Sequence, residues 1–292
     1  MNTIYYFNID FSCNNRCVFC ISHNTGLGLR NIEFDEFVKT LRFVAPDETD
    51  KVIINGGEPS LHPDFYRMLD FIEKQFCTNT VVYTNGTLLN VGGLGTLKRT
   101  IFVIPIHGDK EVHNGITRNV DSYDQTIRQM YNLQYNKIRY AIKFILNKQL
   151  VESRFNIHSF LRANELRPEK IFLARLIETK KALKNQVQYP LMFDLQVFLR
   201  ENHECLKKNF ELVYLDIPLC FLVNDTEKLR LPVAPSFFYT DYRRKMVKKD
   251  YYKEVKILGS LCDGCRRNVI CSLMQNSYLT LAFRKDWQLV VE

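Results

Sequence analysis

Three cysteines fall within eight residues, in the run CNNRCVFC from Cys13 to Cys20. They directly follow TIYYFNIDF, a run with the composition of a β-strand. Thiolates bind zinc, and they bind iron in iron–sulfur clusters. A structural zinc ion normally takes four ligands, and His23 stands close enough to join Cys13, Cys17 and Cys20. A four-iron cubane ordinarily takes four thiolates, so three would leave one iron open to a small molecule. Taken alone, the loop suits either chemistry.

A second feature is the turn Gly56-Gly57-Glu58-Pro59, in VIINGGEPSLHPDF. Adjacent glycines let the backbone approach a ligand closely. The Glu58 carboxylate can accept hydrogen bonds from an ammonium group. A third lies near the C-terminus, where Cys262, Cys265 and Cys271 form a C-x2-C-x5-C pattern. Cys220 lies upstream in YLDIPLCFL, where Pro218 ends a strand-like run. These four thiols could close one cubane cluster or hold one zinc ion. Cys77 follows an amphipathic stretch and reads as a buried core cysteine, while Cys205 has no cysteine near it.

Short runs rich in Val, Ile, Phe and Tyr must position these residues. They occur at 3–10, 51–55, 79–85, 100–106, 137–146 and 169–176. Helix-like stretches alternate with them at 34–44, 62–76, 121–133 and 150–164. Six strands alternating with helices imply an α/β fold with a parallel sheet and right-handed crossovers. The site should then lie at the carboxyl ends of the strands. Beyond about residue 185 the alternation fades, although YPLMFDLQVFLREN reads as a helix and FELVYLDI as a strand. Two domains are expected, at 1–185 and 186–292.

The 292 residues are 46% hydrophobic, enough for a large core. No apolar run approaches the roughly 18 residues that a membrane helix needs. No secretory signal is seen at the N-terminus, so a cytoplasmic location is expected. In a reducing compartment, clustered cysteines among the nine read as metal ligands rather than disulfides. Lys and Arg number 40 against 32 Asp and Glu, a net charge of +8. Much of this charge sits in YRRKMVKKDYYKEVK, Tyr242 to Lys256. That segment reads as a solvated connector or as a surface for an acidic peptide; nucleic acid is the less favoured partner.

The spacing C-x3-C-x-Phe-C, the Gly-Gly-Glu-Pro turn and the YTNG run at Tyr83–Gly86 together resemble the radical S-adenosylmethionine superfamily. The resemblance covers about residues 1–180. It implies a partial (β/α)6 barrel in which Cys13, Cys17 and Cys20 ligate a [4Fe-4S] cluster. The open iron would chelate S-adenosylmethionine, whose reductive cleavage yields a 5'-deoxyadenosyl radical. Gly56, Gly57 and Glu58 would contact the methionine amino group, and Thr84 and Asn85 the nucleoside. The segment PIHGDKEVHNGITRNVDSY resembles a family segment but carries His107 before Gly108, and Asn114 after His113. His107 is thus a candidate proton-transfer group or a shape residue. Lys143 and Asn147, on and after the fifth strand, are candidates to face the cofactor.

Cys220 with the C-x2-C-x5-C pattern resembles the twitch extension of some members of this superfamily. That implies a small C-terminal domain with one auxiliary [4Fe-4S] cluster held by Cys220, Cys262, Cys265 and Cys271. Cys205 is then an ordinary thiol, a hydrogen-atom donor to a substrate radical, or a spare ligand. The leading expectation is an enzyme acting on a ribosomally made peptide. A small molecule derived from a carbohydrate or nucleotide is the alternative substrate. An electron donor such as flavodoxin or ferredoxin is implied. The chain begins at the barrel, so a separate peptide-recognition protein is a further candidate partner. The non-enzymatic alternative is a zinc or redox-sensing module, which leaves the Gly-Gly-Glu-Pro turn unexplained.

Overall fold

The computed structural model describes residues 3–20, 31–94 and 97–176, most positions from 182 to 217, and strands at 236–240 and 246–249. The expected strands form as β1 (Thr3–Asp10), β2 (Lys51–Gly56), β3 (Asn79–Tyr83), β4 (Thr100–Ile106), β5 (Tyr140–Leu146) and β6 (Lys170–Arg175). FELVYLDI supplies β7 (Glu211–Leu215), which pairs parallel with β6. On that side the parallel sheet extends beyond the six strands expected. β8 (Ser236–Thr240) runs parallel beside β1, and β9 (Met246–Lys249) pairs antiparallel with β8. The order across the sheet is β7-β6-β5-β4-β3-β2-β1-β8-β9.

The described helices are α1 (Phe34–Val44), α2 (Phe65–Gln75), α3 (Lys110–Thr117), α4 (Ser122–Tyr135), α5 (Lys148–Glu152), α6 (Ile157–Ala163) and α7 (Met192–Leu206). The single helix expected at 150–164 is two. The chain turns through Arg154 at φ 51°, and the Asn156 side chain then caps α6 by accepting from the Ser159 amide at 2.8 Å. The sequence reading also missed α3. Its signal is Asp109, whose carboxylate accepts from the Val112 amide at 2.9 Å as an N-cap.

Strand residues alternate between two faces. Phe7, Ile54, Val82, Ile104, Phe144 and Leu173 point into the main core, which the helices cover. Each such burial contributes roughly 1.5–3 kcal/mol. On the other face Ile101, Val103 and Ala141 form a smaller cluster, with Val81, Tyr83 and Phe172 packed against it. That second face leads up to a cavity at the carboxyl ends of the strands. Cys77 is exposed rather than buried, because α2 has ended and the neighbouring Phe76 takes the place against the core. Among the described residues, no helix is long and apolar enough to cross a membrane.

Candidate functional site

The cysteine loop is held by main-chain hydrogen bonds on two sides. On one side the Gly57 amide donates to the Asp10 carbonyl at 2.7 Å, and the Glu58 amide to the Ser12 carbonyl at 2.7 Å. On the other, the Arg16 amide donates to Thr117 at 2.8 Å, and the Val18 amide to Ile116 at 2.9 Å. Side chains reinforce the second side. Asn119 donates to Asn15 Oδ1 at 2.8 Å, Asn15 donates to Ser122 Oγ at 3.3 Å, and His113 Nε2 lies 3.1 Å from the same oxygen. The loop between the first two cysteines is thereby tied to α3 and to the start of α4.

This anchoring brings Cys13, Cys17 and Cys20 to the wall of one cavity, together with Gly56, Gly57, Thr84, Asn85 and His107. Cys13 is exposed at the rim, yet burial by the surrounding chain pushes its thiol up to about 11. Asn85 Nδ2 lies 3.8 Å from Cys13 Sγ and 2.8 Å from Asn14 Oδ1. Among the described residues, no three His, Cys, Asp or Glu groups gather around a single ion position. The three thiols line one cavity, and a cubane, whose irons occupy separate corners, can take each thiol on a different iron.

The glycines act first on their own backbone. A Cβ on Gly57 would lie 2.1 Å from the Ser12 carbonyl oxygen, and one on Gly56 would lie 2.2 Å from that of Asp10. Gly56 also has φ +154°. Their smallness lets the β2 turn press against the start of the cysteine loop while still lining the cavity. Glu58 does not line it. Its buried carboxylate accepts from the Ser60 amide at 3.1 Å, Ser60 Oγ at 2.7 Å, Thr84 Oγ1 at 2.5 Å and the Asn85 amide at 2.6 Å. Burial raises the Glu58 pKa, and the hydrogen bonds from Thr84, Ser60 and Asn85 oppose that shift. The carboxylate therefore pins the end of β3 to the turn after β2.

His107 is buried at the end of β4. Its ring packs edge-on against Phe19, at 5.2 Å, and stacks on His113 at 5.1 Å. Its Nδ1 has no hydrogen-bond partner among the described residues. Burial holds its pKa well below the ordinary histidine value, with His113 and Lys143 pushing in the same direction, so the ring is neutral at pH 7. A neutral imidazole with an open nitrogen can hydrogen-bond a ligand in the cavity. Lys143 lines the cavity, whereas Asn147 does not. Asn147 caps α5 and donates to the His107 carbonyl at 3.0 Å.

Cys205 lies exposed on α7, away from the cavity lining. Cys220, Cys262, Cys265 and Cys271 fall outside the described residues. The sequence reading missed Tyr6, Asn55 and Arg175 as cavity residues. Alternation along β1, β2 and β3 would have placed Tyr6, Asn55 and Tyr83 on one face. The thiol set, the glycine turn beside it and the open His107 nitrogen fit a [4Fe-4S] cluster with bound S-adenosylmethionine.

Residues 8–146 match the Radical SAM superfamily model. That superfamily implies a [4Fe-4S] cluster and S-adenosylmethionine. Over 127 residues, 42% of this chain, the sequence is 28% identical to the antilisterial bacteriocin subtilosin biosynthesis protein AlbA of Bacillus subtilis. Over 148 residues, 49% of this chain, it is 23% identical to Fe-coproporphyrin III synthase of Methanosarcina barkeri. The chain spans 28% of the first relative and 37% of the second. Among solved structures, native anSMEcpe with bound AdoMet and Cp18Cys peptide aligns with TM-score 0.68 and 14% identity, over 99% of this chain and 98% of that one. At that identity the likeness shows the fold.

Proposed function

We propose that this chain is a radical S-adenosylmethionine enzyme that modifies a ribosomally synthesised peptide. The observation that carries the radical assignment is the convergence of Cys13, Cys17 and Cys20 with the Gly56–Gly57 turn on one cavity. When bound, the cluster and S-adenosylmethionine supply a 5'-deoxyadenosyl radical that abstracts a hydrogen atom from the substrate. The chain's own part is positioning. The three thiolates would hold the cluster, and the backbone at Gly56 and Gly57 would meet the methionine moiety. Thr84 and Asn85 would contact the nucleoside, and neutral His107 would offer Nδ1 to the bound ligand. Glu58 holds the Thr84–Asn85 segment in place from behind.

The peptide reading is supported by the bacteriocin in the name of one relative and by the peptide bound to a protein of the same fold. Cys220, Cys262, Cys265 and Cys271 are assigned one auxiliary cluster on their resemblance to the twitch extension, which would give about eight irons in all. A low-potential donor such as flavodoxin or ferredoxin would supply the electron, and a separate protein would recognise the peptide. Similarity to Fe-coproporphyrin III synthase favours a second reading, a small-molecule substrate. The test is anaerobic reconstitution, followed by mass spectrometry of 5'-deoxyadenosine and of peptides encoded beside the gene. Modification of such a peptide supports the proposal. Deoxyadenosine release that rises with a small molecule and never with a peptide would retain the radical chemistry and overturn the peptide.

A further inference from the structure

Three segments of chain meet at the cysteine loop. Asn14 donates to Thr87 Oγ1 at 2.6 Å, and Asn119 donates to Asn15 Oδ1 at 2.8 Å. The residue after each of those partners is aliphatic and faces water: Leu88 is 48% exposed and Val120 is 80% exposed. Both tips are held in place. The Thr87 amide donates to Asn85 Oδ1 at 2.9 Å, and Asn114 donates to the Val120 carbonyl at 2.6 Å. Arg16, next in the cysteine loop, is exposed, and its amide is bonded to Thr117, whose neighbour Arg118 is exposed too. Arg118 donates to Asn185 Oδ1 at 2.8 Å, and among the described residues neither arginine pairs with a carboxylate. Asp121, also exposed, is the opposing charge next to Val120. This surface lies close to a thiol of the site. Asn85 Nδ2 donates to Asn14 Oδ1 at 2.8 Å and lies 3.8 Å from Cys13 Sγ.

We infer that this surface, made by Leu88, Val120 and Arg16 with Arg118, is the docking site of an acidic protein that delivers the electron. Electron transfer is fastest where the carrier's redox centre comes closest to its acceptor, and here a carrier would sit over the loop that bears the thiols. Two aliphatic side chains give the contact an apolar centre, and the arginines give it a charged rim. Tips already fixed by hydrogen bonds lose little freedom on docking. The arginines and the net charge of +8 would steer a carrier rich in Asp and Glu. A patch this small suits a transient contact, and a carrier must leave after giving up its electron. The carrier is oxidised by one electron, and no atom is transferred. The inference rests on the proposed radical reading and adds where the electron enters.

The probes are a reduced acidic flavodoxin and a reduced ferredoxin, each mixed anaerobically with the full chain loaded with cluster and S-adenosylmethionine. Calorimetry follows binding, and stopped-flow absorbance follows reduction. Val120→Asp, Leu88→Asp and Arg16→Glu should each weaken carrier binding about tenfold and slow reduction to match. Asp121→Asn should tighten binding about twofold, and added salt should weaken it. Tyr135→Asp should change nothing, since that exposed residue lies at the other end of α4, roughly 20 Å along the helix. Dithionite, a small reductant that needs no docking site, should give the same 5'-deoxyadenosine in every variant, which also shows that each is folded. Carrier binding and reduction unchanged in the three variants would overturn the inference, as would failure of both carriers to bind the unaltered chain. Loss of peptide-dependent product with carrier binding intact would assign the surface to the peptide or its recognition protein, and would also overturn it. If dithionite yields no 5'-deoxyadenosine even in the unaltered chain, the radical reading falls and takes this inference with it.

Discussion

The two walls of the cavity are built differently. The wall from β1 to β3 is held by backbone. The β2 turn and the cysteine loop exchange main-chain hydrogen bonds, and both glycines sit against carbonyl oxygens. The wall from β4 to β6 presents side chains, with His107 and Lys143 directed inward by strand parity and Arg175 reaching the cavity from the end of β6. A backbone contact at van der Waals distance restricts residue type, so the first wall leaves a motif in the sequence. A side chain on a strand needs only the correct parity, so the second leaves almost none. The first wall should therefore be the less tolerant of substitution.

The largest effect is expected at Gly57→Val. The added side chain meets the Ser12 carbonyl, and relief requires parting the turn from the cysteine loop. A loss of more than about 4 kcal/mol is expected in denaturant unfolding, before any ligand is considered. Normal stability with lost S-adenosylmethionine binding would instead assign the glycine to the ligand alone. Glu58→Ala comes next. It leaves the Ser60 and Asn85 amides and two hydroxyls without their acceptor, at a cost of about 3 kcal/mol. Lower S-adenosylmethionine affinity without lower stability would show direct contact and weaken the backbone account of this wall.

A third prediction concerns pH. Burial lowers the His113 pKa to about 4, from an ordinary value near 6.5. The unfolded chain therefore takes up this proton first, and stability falls as pH drops from about 6.5 towards 4. The loss at the lower end is roughly 3 kcal/mol. His107, stacked on His113 and also held neutral, adds in the same direction. Thermal melts across this range should show the decline, and His113→Gln should flatten it. A profile unchanged by that substitution would contradict a buried neutral His113. The smallest effect is expected at Asn147→Ala, which removes the cap of α5 and one donor to the His107 carbonyl. About 1–2 kcal/mol should be lost in denaturant melts.

The difference between the walls also explains what was legible in the sequence. Gly56 and Gly57 stood out because the backbone allows few alternatives there, and Cys13, Cys17 and Cys20 because three thiols fall within eight residues. The six expected strands stood out because their Val, Ile and Phe runs bury one face in the helical layer. Glu58 was legible as part of the site but not as a residue facing away from it. That required seeing Thr84 and Asn85 folded back onto its carboxylate. Alternation puts each of Tyr6, Asn55 and Tyr83 on the same face of its strand, but strand register is needed to bring the three distant positions together. The α3 helix was hidden because its segment carries few apolar residues, and its strongest signal is the single cap at Asp109.

The central claim is that the thiols of the first wall hold a reducible cluster with one iron open to S-adenosylmethionine. The most direct measurement pairs electron paramagnetic resonance of the reconstituted, reduced chain with quantitation of 5'-deoxyadenosine, for the unaltered chain and for the Cys13→Ala, Cys17→Ala, Cys20→Ala triple variant. The unaltered chain should give a reduced-cluster signal that changes on adding S-adenosylmethionine, and it should form 5'-deoxyadenosine. The triple variant should lose both the responsive signal and the product. Reductive cleavage that survives in the triple variant, or zinc bound at the loop in place of iron and sulfide, would contradict the account.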